Sequence, residues 1–317
     1  MPKKTKQFFF FLIKLAIVVG AFYFIYDKII HNDQLPIRDF IIQLEKSIFK
    51  SYTTILILIA FTTCNWFFEI VKWKTLVSNI KNISFYNAFQ QSLGSLTASL
   101  FTPNRIGEYG AKAIYYKKGN RRKVMLLNLL GNSSQMAITV LLGIVGLTYV
   151  FINFDIEIDL YRFRKAGYIL AILLVILIGG SIKGFKKIRG FYIDKIIQFF
   201  KKIPLSLHFK TLLFSFLRYV FFSHQFYFLL TVFGVDLNYS TAMALITSMY
   251  LLASVVPSLA LLDWLVKGSV AIWVFSLVGV NELIIVTITL LMWILNFGFP
   301  AMIGSYFVLN FNTNQQK

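Results

Sequence analysis

Charged side chains that interrupt the apolar stretches of this chain are the first candidates for chemistry. Glu108 is followed four residues later by Lys112, and Asp263 by Lys267. This spacing places each acid and its lysine on one helix face, in the more favourable orientation. Arg105 adds a guanidinium group that can bind a phosphate or carboxylate through two hydrogen bonds. We therefore predict anion binding here, with acid–base chemistry by Glu108 and Asp263 as the weaker alternative.

A helix break is predicted beside each charged pair. Pro103 ends one half-helix and Gly107 permits close approach where the chain restarts, while Pro257 and Gly268 mark the second break. The restarting half-helix is expected to present free N–H groups and a positive dipole end that bind the anion together with Arg105. The alternative is an ion pair that only neutralises buried charge. Ionisable groups inside a membrane favour the functional interpretation.

Three other predicted helices carry polar residues along one face. Their spacing predicts a polar cavity for a charged headgroup, and hydrogen bonding between helices is the alternative explanation. Arg218, within an apolar stretch, is predicted to bind the headgroup. The predicted cavity-lining residues are Asn65, Glu69, Asn128, Asn132, Gln135 and Gln225.

The composition around these residues is that of a helical membrane protein. Of 317 residues, 57% are hydrophobic and 14% are charged, whereas a soluble domain averages about 25% charged residues. Several apolar runs can cross the hydrocarbon core, and the first lacks a cleavage site and is predicted to be retained. The predicted spans are 8–26, 52–73, 124–152, 166–182, 211–233 and 283–309, with an interfacial helix at 37–50 and an amphipathic basic segment at 183–208.

The net charge of +19 is distributed as membrane topology requires. Lysine and arginine concentrate at 3–6, 72–123 and 183–210, and most acidic residues lie in other loops. This asymmetry predicts a multi-pass protein of the cytoplasmic membrane with its N-terminus inside and anionic lipids as partners. We predict no nucleic-acid partner.

Two apolar segments do not fit a simple membrane crossing. Residues 85–101 have basic flanks and residues 241–280 have acidic flanks, so re-entrant hairpins from opposite faces are predicted. We therefore predict one integral membrane domain over 1–317, an all-α bundle with two broken-helix hairpins in an inverted repeat. The pseudo-repeats cover about 52–152 and 211–309, an arrangement typical of secondary transporters with binding at the repeat interface.

Signatures of enzymes, metals and cofactors are missing from the sequence. The three histidines are scattered, Cys64 is the sole cysteine, and neither a nucleotide-binding glycine loop nor a serine-nucleophile motif occurs. We predict a protein that is not an enzyme, with no catalytic residue, no metal and no cofactor.

Two segments resemble the signatures of a known family. TPNRIGEYGAKAIYY (102–116) resembles the Pro-x-Arg-x-Gly-Glu motif in the transmembrane region of bacterial lysylphosphatidylglycerol synthases and their stand-alone, flippase-like relatives. VPSLALLDWLVKGSVAIW (256–273) is similar to the second signature, with Pro-Ser-Leu where relatives often have a Pro-Gly-Gly-like turn. The resemblance covers roughly residues 50–309. Its motif positions are Pro103, Arg105, Gly107 and Glu108, then Pro257, Asp263 and Lys267.

The resemblance implies lipid handling, since the transmembrane region of the two-part members is linked to moving aminoacylated phosphatidylglycerol between leaflets. The chain stops at Lys317 without a soluble aminoacyl-transferase domain, so we expect no synthesis of lysyl lipid. The leading hypothesis is a translocase for an anionic phospholipid or lipid-linked headgroup. The alternatives are a non-transporting partner that presents a lipid-linked substrate to a lipid-modifying or glycosyl transferase, and a membrane-embedded transferase. A homodimer is a further expected partnership.

Overall fold

Long helices form where the apolar runs of the sequence predict them. The computed structural model describes residues 37–100, 102, 105–154, 193–256 and 263–311. Within these ranges the regular structure is helical and contains no strand. The prediction of an all-α, multi-pass membrane protein is confirmed. The predicted spans at 8–26 and 166–182 lie outside the described residues. Four helices are long and apolar enough to cross a membrane: Tyr52–Val77, Lys118–Asn153, Leu205–Val232 and Glu282–Leu309.

The helices of the described ranges are numbered in chain order. They are α1 (Ile37–Ser47), α2 (Tyr52–Val77), α3 (Phe85–Ala98), α4 (Gly107–Ala113), α5 (Arg121–Asn153), α6 (Ile193–Lys202), α7 (Leu205–Val232), α8 (Tyr239–Val255), α9 (Asp263–Ser276), α10 (Glu282–Trp293) and α11 (Phe299–Leu309). A 3₁₀ turn at Lys118–Asn120 leads into α5, and a π turn at Ile294–Gly298 joins α10 to α11.

The π turn in the last long helix has a local cause in Pro300, which lies at the start of α11. Proline has no N–H group, so it cannot donate to the carbonyl of Asn296 four residues earlier. The indole N–H of Trp66 on α2 donates to that carbonyl instead, at 3.1 Å. Single π turns of this kind often occur at functional sites. Here the turn places the Asn296 side chain among the polar residues of α2 and α7.

Glycines allow the short helices to pack closely on the long ones. α3 packs on α11, where a Cβ at Gly304 would collide with the backbone of Leu93. α8 approaches α5, where a Cβ at Gly146 would lie 2.7 Å from the carbonyl oxygen of Ala244. Small residues at such contacts let membrane helices approach each other. Both helix pairs are thereby held against long helices.

The order of elements is the same in the two predicted pseudo-repeats. A long helix, a helix pair and a second long helix occur first as α2, α3–α4 and α5, then as α7, α8–α9 and α10–α11. The pairs α3–α4 and α8–α9 each consist of two helices in mutual contact. Their re-entrant insertion, their opposite orientation and the repeat boundaries remain predictions.

Candidate functional site

A cavity of about 440 Å³ lies among α2, α4, α5, α7, α8, α9 and α10. The two predicted charged pairs meet there, since Glu108 from α4 and Asp263 from α9 line the same space. The charged residues of the lining are Arg105, Glu108, Arg218, Asp263 and Lys267. Charged groups from both helix pairs and from the long helix α7 thus line one cavity.

Glu108 is the centre of the first charged cluster. Its carboxylate contacts Arg105 Nη2 at 2.9 Å and Lys112 Nζ at 2.7 Å. Burial by itself raises the pKa of the Glu108 carboxyl, but the positive charges of Arg105 and Lys112 more than offset this and hold the pKa below its ordinary value. Glu108 is therefore expected to remain ionised at neutral pH.

Lys112 lies behind Glu108 rather than at the cavity surface. Its side chain is buried, donates to Asn128 Oδ1 at 2.9 Å, and lies 4.3 Å from the centroid of the Trp73 ring. With these contacts and the Glu108 carboxylate its donors are occupied. Lys112 is absent from the lining, so its predicted direct contact with a headgroup is replaced by a role in neutralising Glu108.

Arg105 has an unusual backbone conformation just before α4. Its φ angle is 58°, in the left-handed region that non-glycine residues seldom adopt. Gly107 approaches the preceding turn so closely that a Cβ would lie 2.8 Å from Thr102 Cγ2. The tight turn points to the break that the sequence predicts here. Pro103 lies outside the described residues.

The backbone N–H groups at the start of α4 already have acceptors. Gly107 N–H donates to Thr102 Oγ1 at 2.9 Å, and the next two N–H groups donate to the carbonyls of Arg105 and Ile106. The prediction that this helix end offers free N–H groups to an anion is therefore wrong. The physical reason is the Thr102 hydroxyl, which accepts from the Gly107 N–H and acts as an internal cap.

Arg218 belongs to a second cluster that joins α7 to α2. Its Nη1 contacts Glu69 Oε2 at 2.8 Å, and its Nε donates to Asn65 Oδ1 at 3.1 Å. Glu69 also pairs with Lys72 at 2.7 Å. Two cations therefore share one buried carboxylate, as they do at Glu108. Arg218 and Asn65 line the cavity, whereas Glu69 lies one contact behind it.

Asn296 extends this cluster, although the sequence pattern did not point to it. Its Oδ1 accepts from Asn65 Nδ2 at 2.8 Å, and its Nδ2 donates to Gln225 Oε1 at 2.8 Å. Gln225 Nε2 in turn donates to Thr62 Oγ1 at 2.9 Å. The available signal was an amide in an apolar run, four residues before Pro300.

Asp263 and Lys267 form a third charged group on α9. Lys267 Nζ contacts Asp263 Oδ2 at 2.6 Å, and both side chains are about one third exposed (32% and 34%). Gly268 lies inside α9 and is buried, so the predicted helix break at this residue is wrong. One glycine costs a helix only about 1 kcal/mol relative to alanine, and packing overrides that. Pro257 lies outside the described residues.

The predicted cavity residues divide into those at the surface and those behind it. Asn132 and Gln135 line the cavity with Asn65, and Asn132 Nδ2 donates to the Tyr109 hydroxyl at 3.2 Å. Asn128 and Gln225 do not line it, because their side chains are bonded to Lys112 and Asn296. The sequence pattern also left out the apolar and aromatic part of the lining: Trp66, Tyr109, Met136, Phe222, Phe226, Met249, Tyr250, Trp264, Met292, Trp293 and Phe297.

Comparison with known proteins identifies the family. Residues 11–304 match the family described as the lysylphosphatidylglycerol synthase TM region. The chain belongs to this family. The match confirms the resemblance of the two motifs and indicates a multi-pass membrane protein linked to lipid biosynthesis or translocation. No curated protein and no solved structure matches the chain.

Metal-ligating side chains do not cluster in the described part of this member of the lysylphosphatidylglycerol synthase TM-region family. Across those residues, no group of three or more His, Cys, Asp or Glu side chains could hold a metal ion. The polar side chains that line the cavity are cations, carboxylates, amides and hydroxyls, together with the indoles of three tryptophans.

Proposed function

We propose that the protein is a lipid translocase that moves an anionic phospholipid or lipid-linked headgroup between the leaflets of the cytoplasmic membrane. The observation that carries this proposal is the cavity of about 440 Å³ with Arg105, Arg218 and Lys267 in its lining. Cations inside a membrane protein are costly unless they serve a ligand or a pathway. Guanidinium groups suit phosphate because their donors match two of its oxygens.

The size and mixed lining of the cavity favour the headgroup of a lipid as its occupant. Small-molecule sites have volumes of about 300–1,000 Å³, so this one can hold a headgroup but not a complete lipid. Next to the charged groups lie apolar side chains such as Phe222, Met249 and Met292. A headgroup held there would leave its hydrocarbon chains in the bilayer, against exposed apolar helix surfaces such as Leu141 and Val145 on α5.

Movement between leaflets requires that the cavity open to each side in turn. Arg105 and Glu108 are carried by the α3–α4 pair, and Asp263 and Lys267 by the α8–α9 pair. If the two pairs enter from opposite faces, as predicted, small tilts of each pair would expose the same cations alternately. This is the logic of transporters with inverted repeats.

Transfer of lipid by the purified chain tests the proposal. The protein is reconstituted in liposomes, and the transfer of fluorescent anionic phospholipids between leaflets is followed with a membrane-impermeant quencher. We expect faster transfer with protein than without it. Arg105→Ala should reduce the rate at least about tenfold, since one charge-assisted hydrogen bond contributes about 1.5–3 kcal/mol. Arg122→Ala is the matched control, because Arg122 is exposed and outside the cavity.

Two other outcomes would redirect the proposal. No acceleration with a broad panel of anionic lipids would refute translocation. Lipid binding without transfer, combined with co-purification of a transferase, would favour a protein that presents a lipid-linked substrate. Product formation by the pure chain would favour the embedded transferase, for which the shared position of Glu108 and Asp263 is the relevant observation.

A further inference from the structure

The charged groups around the cavity form three sets with defined stoichiometry. We name them the Glu108 cluster, the Glu69 cluster and the Asp263 pair. Their members are Arg105, Glu108 and Lys112; Glu69, Lys72 and Arg218; and Asp263 and Lys267.

Positive charge exceeds negative charge in two of the three sets. In the Glu108 cluster and in the Glu69 cluster, two cations share one carboxylate, so each cluster carries one net positive charge. The Asp263 pair is neutral. Arg105 and Glu108 of one cluster and Arg218 of the other line the same cavity, so the two clusters belong to one site. Five cations and three carboxylates make up these sets, so within the described residues two positive charges have no counter-charge.

Other carboxylates of the described side chains do not supply the missing charge. Glu45, Asp236 and Glu282 are exposed. Arg121, a half-buried cation, donates to the Tyr116 carbonyl before α5 and is not part of the lining. Uncompensated charge in a low-dielectric interior is strongly unfavourable. A ligand with negative charge would relieve this cost.

The unpartnered hydrogen-bonding groups of the lining also favour a negatively charged ligand. Four lining groups that can donate have no hydrogen-bond partner among the described residues: Arg105 Nε, Tyr250 OH, Trp264 Nε1 and Trp293 Nε1. Of the buried lining groups that have no partner within the same residues, Gln135 Oε1 is the one that can only accept. A ligand rich in acceptor oxygens therefore complements the cavity better than one rich in donors.

We propose that the cavity takes a lipid headgroup with a doubly negative phosphate group, either a phosphomonoester or a diphosphate. This rests on the proposed function and narrows its substrate class. A dianion neutralises both clusters, whereas a phosphodiester with one negative charge leaves one cation uncompensated. A headgroup with an added ammonium group increases the excess of positive charge. The oxygens of the phosphate accept hydrogen bonds from the unpartnered donors.

Two lipids that differ by one methyl group test the charge requirement. Phosphatidic acid is a phosphomonoester, and phosphatidylmethanol with the same acyl chains is its singly charged ester. At pH 7 most of the monoester is doubly negative, because the second pKa of a phosphomonoester is about 6. Binding of each lipid to the full chain is measured in nanodiscs of neutral lipid. We expect phosphatidic acid to bind at least about tenfold more tightly, the scale of one charge-assisted contact.

Variants of α2 separate charge from structure. Lys72→Met removes one excess charge from a buried position and should reduce the preference for phosphatidic acid to about twofold or less. The double variant Glu69→Gln/Lys72→Met restores the two-charge excess and should restore the preference. A purely structural role for Lys72 would not produce this rescue. Lys74→Met, at an exposed lysine of the same helix, is the matched control and should keep the preference.

The results distinguish this inference from the proposed function. Equal binding of the two lipids, or no rescue by the double variant, overturns the inference even if the protein transfers lipids between leaflets. A preference for phosphatidic acid in a protein that transfers no lipid leaves the inference standing and refutes translocation. Competition with inorganic phosphate tests whether the bound phosphate group must belong to a lipid. Displacement of phosphatidic acid by inorganic phosphate of equal affinity overturns the assignment to a lipid headgroup.

Discussion

Alanine at Gly304 should destabilise the protein by disturbing the contact between α3 and α11. A Cβ at this position would lie 2.7 Å from the Leu93 carbonyl carbon and still closer to its oxygen and to Thr97 Oγ1. The blocked atoms are largely backbone, so the two helices must move apart to admit the methyl group. The same movement would stretch the hydrogen bond from Thr97 Oγ1 to the Ala301 carbonyl, which is 2.7 Å long.

The expected magnitude combines two opposing effects. Alanine is intrinsically better than glycine in a helix by about 0.5–1 kcal/mol. Overpacking of a close contact costs about 1–3 kcal/mol. We expect Gly304→Ala to lower the free energy of unfolding by about 1–2 kcal/mol. Gly110→Ala is the matched control, because an added Cβ there would have nothing within 4 Å of it, and it should leave stability unchanged or raise it by about 0.5 kcal/mol.

Reversible unfolding in mixed micelles, followed by helical circular dichroism, gives the two free energies. An intermediate case is Gly131→Ala, where the added Cβ would lie 2.9 Å from Leu76 Cδ1, the end of a flexible side chain, rather than against backbone. Because a side chain can change rotamer, its loss should be smaller than that of Gly304→Ala. Equal stability of Gly304→Ala and Gly110→Ala would refute the close packing of α3 on α11.

Three further predictions concern the strained turn, the amide of the π turn and the topology. Arg105→Gly should be about 1 kcal/mol more stable than Arg105→Ala in the same unfolding assay, since glycine adopts a positive φ without strain; equal stabilities would contradict the strain. Asn296→Leu should cost about 2–4 kcal/mol, because it leaves Asn65 Nδ2 and Gln225 Oε1 without their partner. It should also slow lipid transfer, because Asn65 would hold Arg218 less firmly. Its control is Asn310→Leu on an exposed site, and a neutral Asn296→Leu would refute the network. Impermeant thiol labelling in a Cys64→Ser background tests the hairpins. Single cysteines at Asn79 and Gly119 should be labelled only from inside, and those at Asp236 and Glu282 only from outside. Labelling of the two positions of either pair from opposite sides would mean that the segment between them crosses the membrane fully.

Local features of the site follow from sequence spacing. The pairs Glu108–Lys112 and Asp263–Lys267 occur as ion pairs because residues four apart on a helix are neighbours regardless of the surrounding fold. The apolar runs that predict α2 and α7 also form helices, since a chain in lipid must satisfy its backbone hydrogen bonds internally. Composition, period and short-range spacing carry this information.

Helix ends and side-chain depth depend on neighbours that the pattern does not specify. The sequence predicts free N–H groups at the start of α4, but the Thr102 hydroxyl occupies one of them. Lys112 was expected at the cavity, yet its contacts with Asn128 and Trp73 hold it behind Glu108. Gly268 continues a helix because α9 packs against α10. In each case a contact decides the outcome.

The sequence by itself determined that this chain is an all-α membrane protein with two local charged pairs in its apolar stretches. The tertiary structure alone decided that Arg218 meets Glu69, 149 residues away, and that Asn296 joins their cluster through Asn65. It also brought the two charged pairs to one cavity. The physical reason is range: hydrophobicity and helical period act within a few turns, whereas pairing between distant helices depends on close packing and on the cost of leaving buried polar groups unpaired.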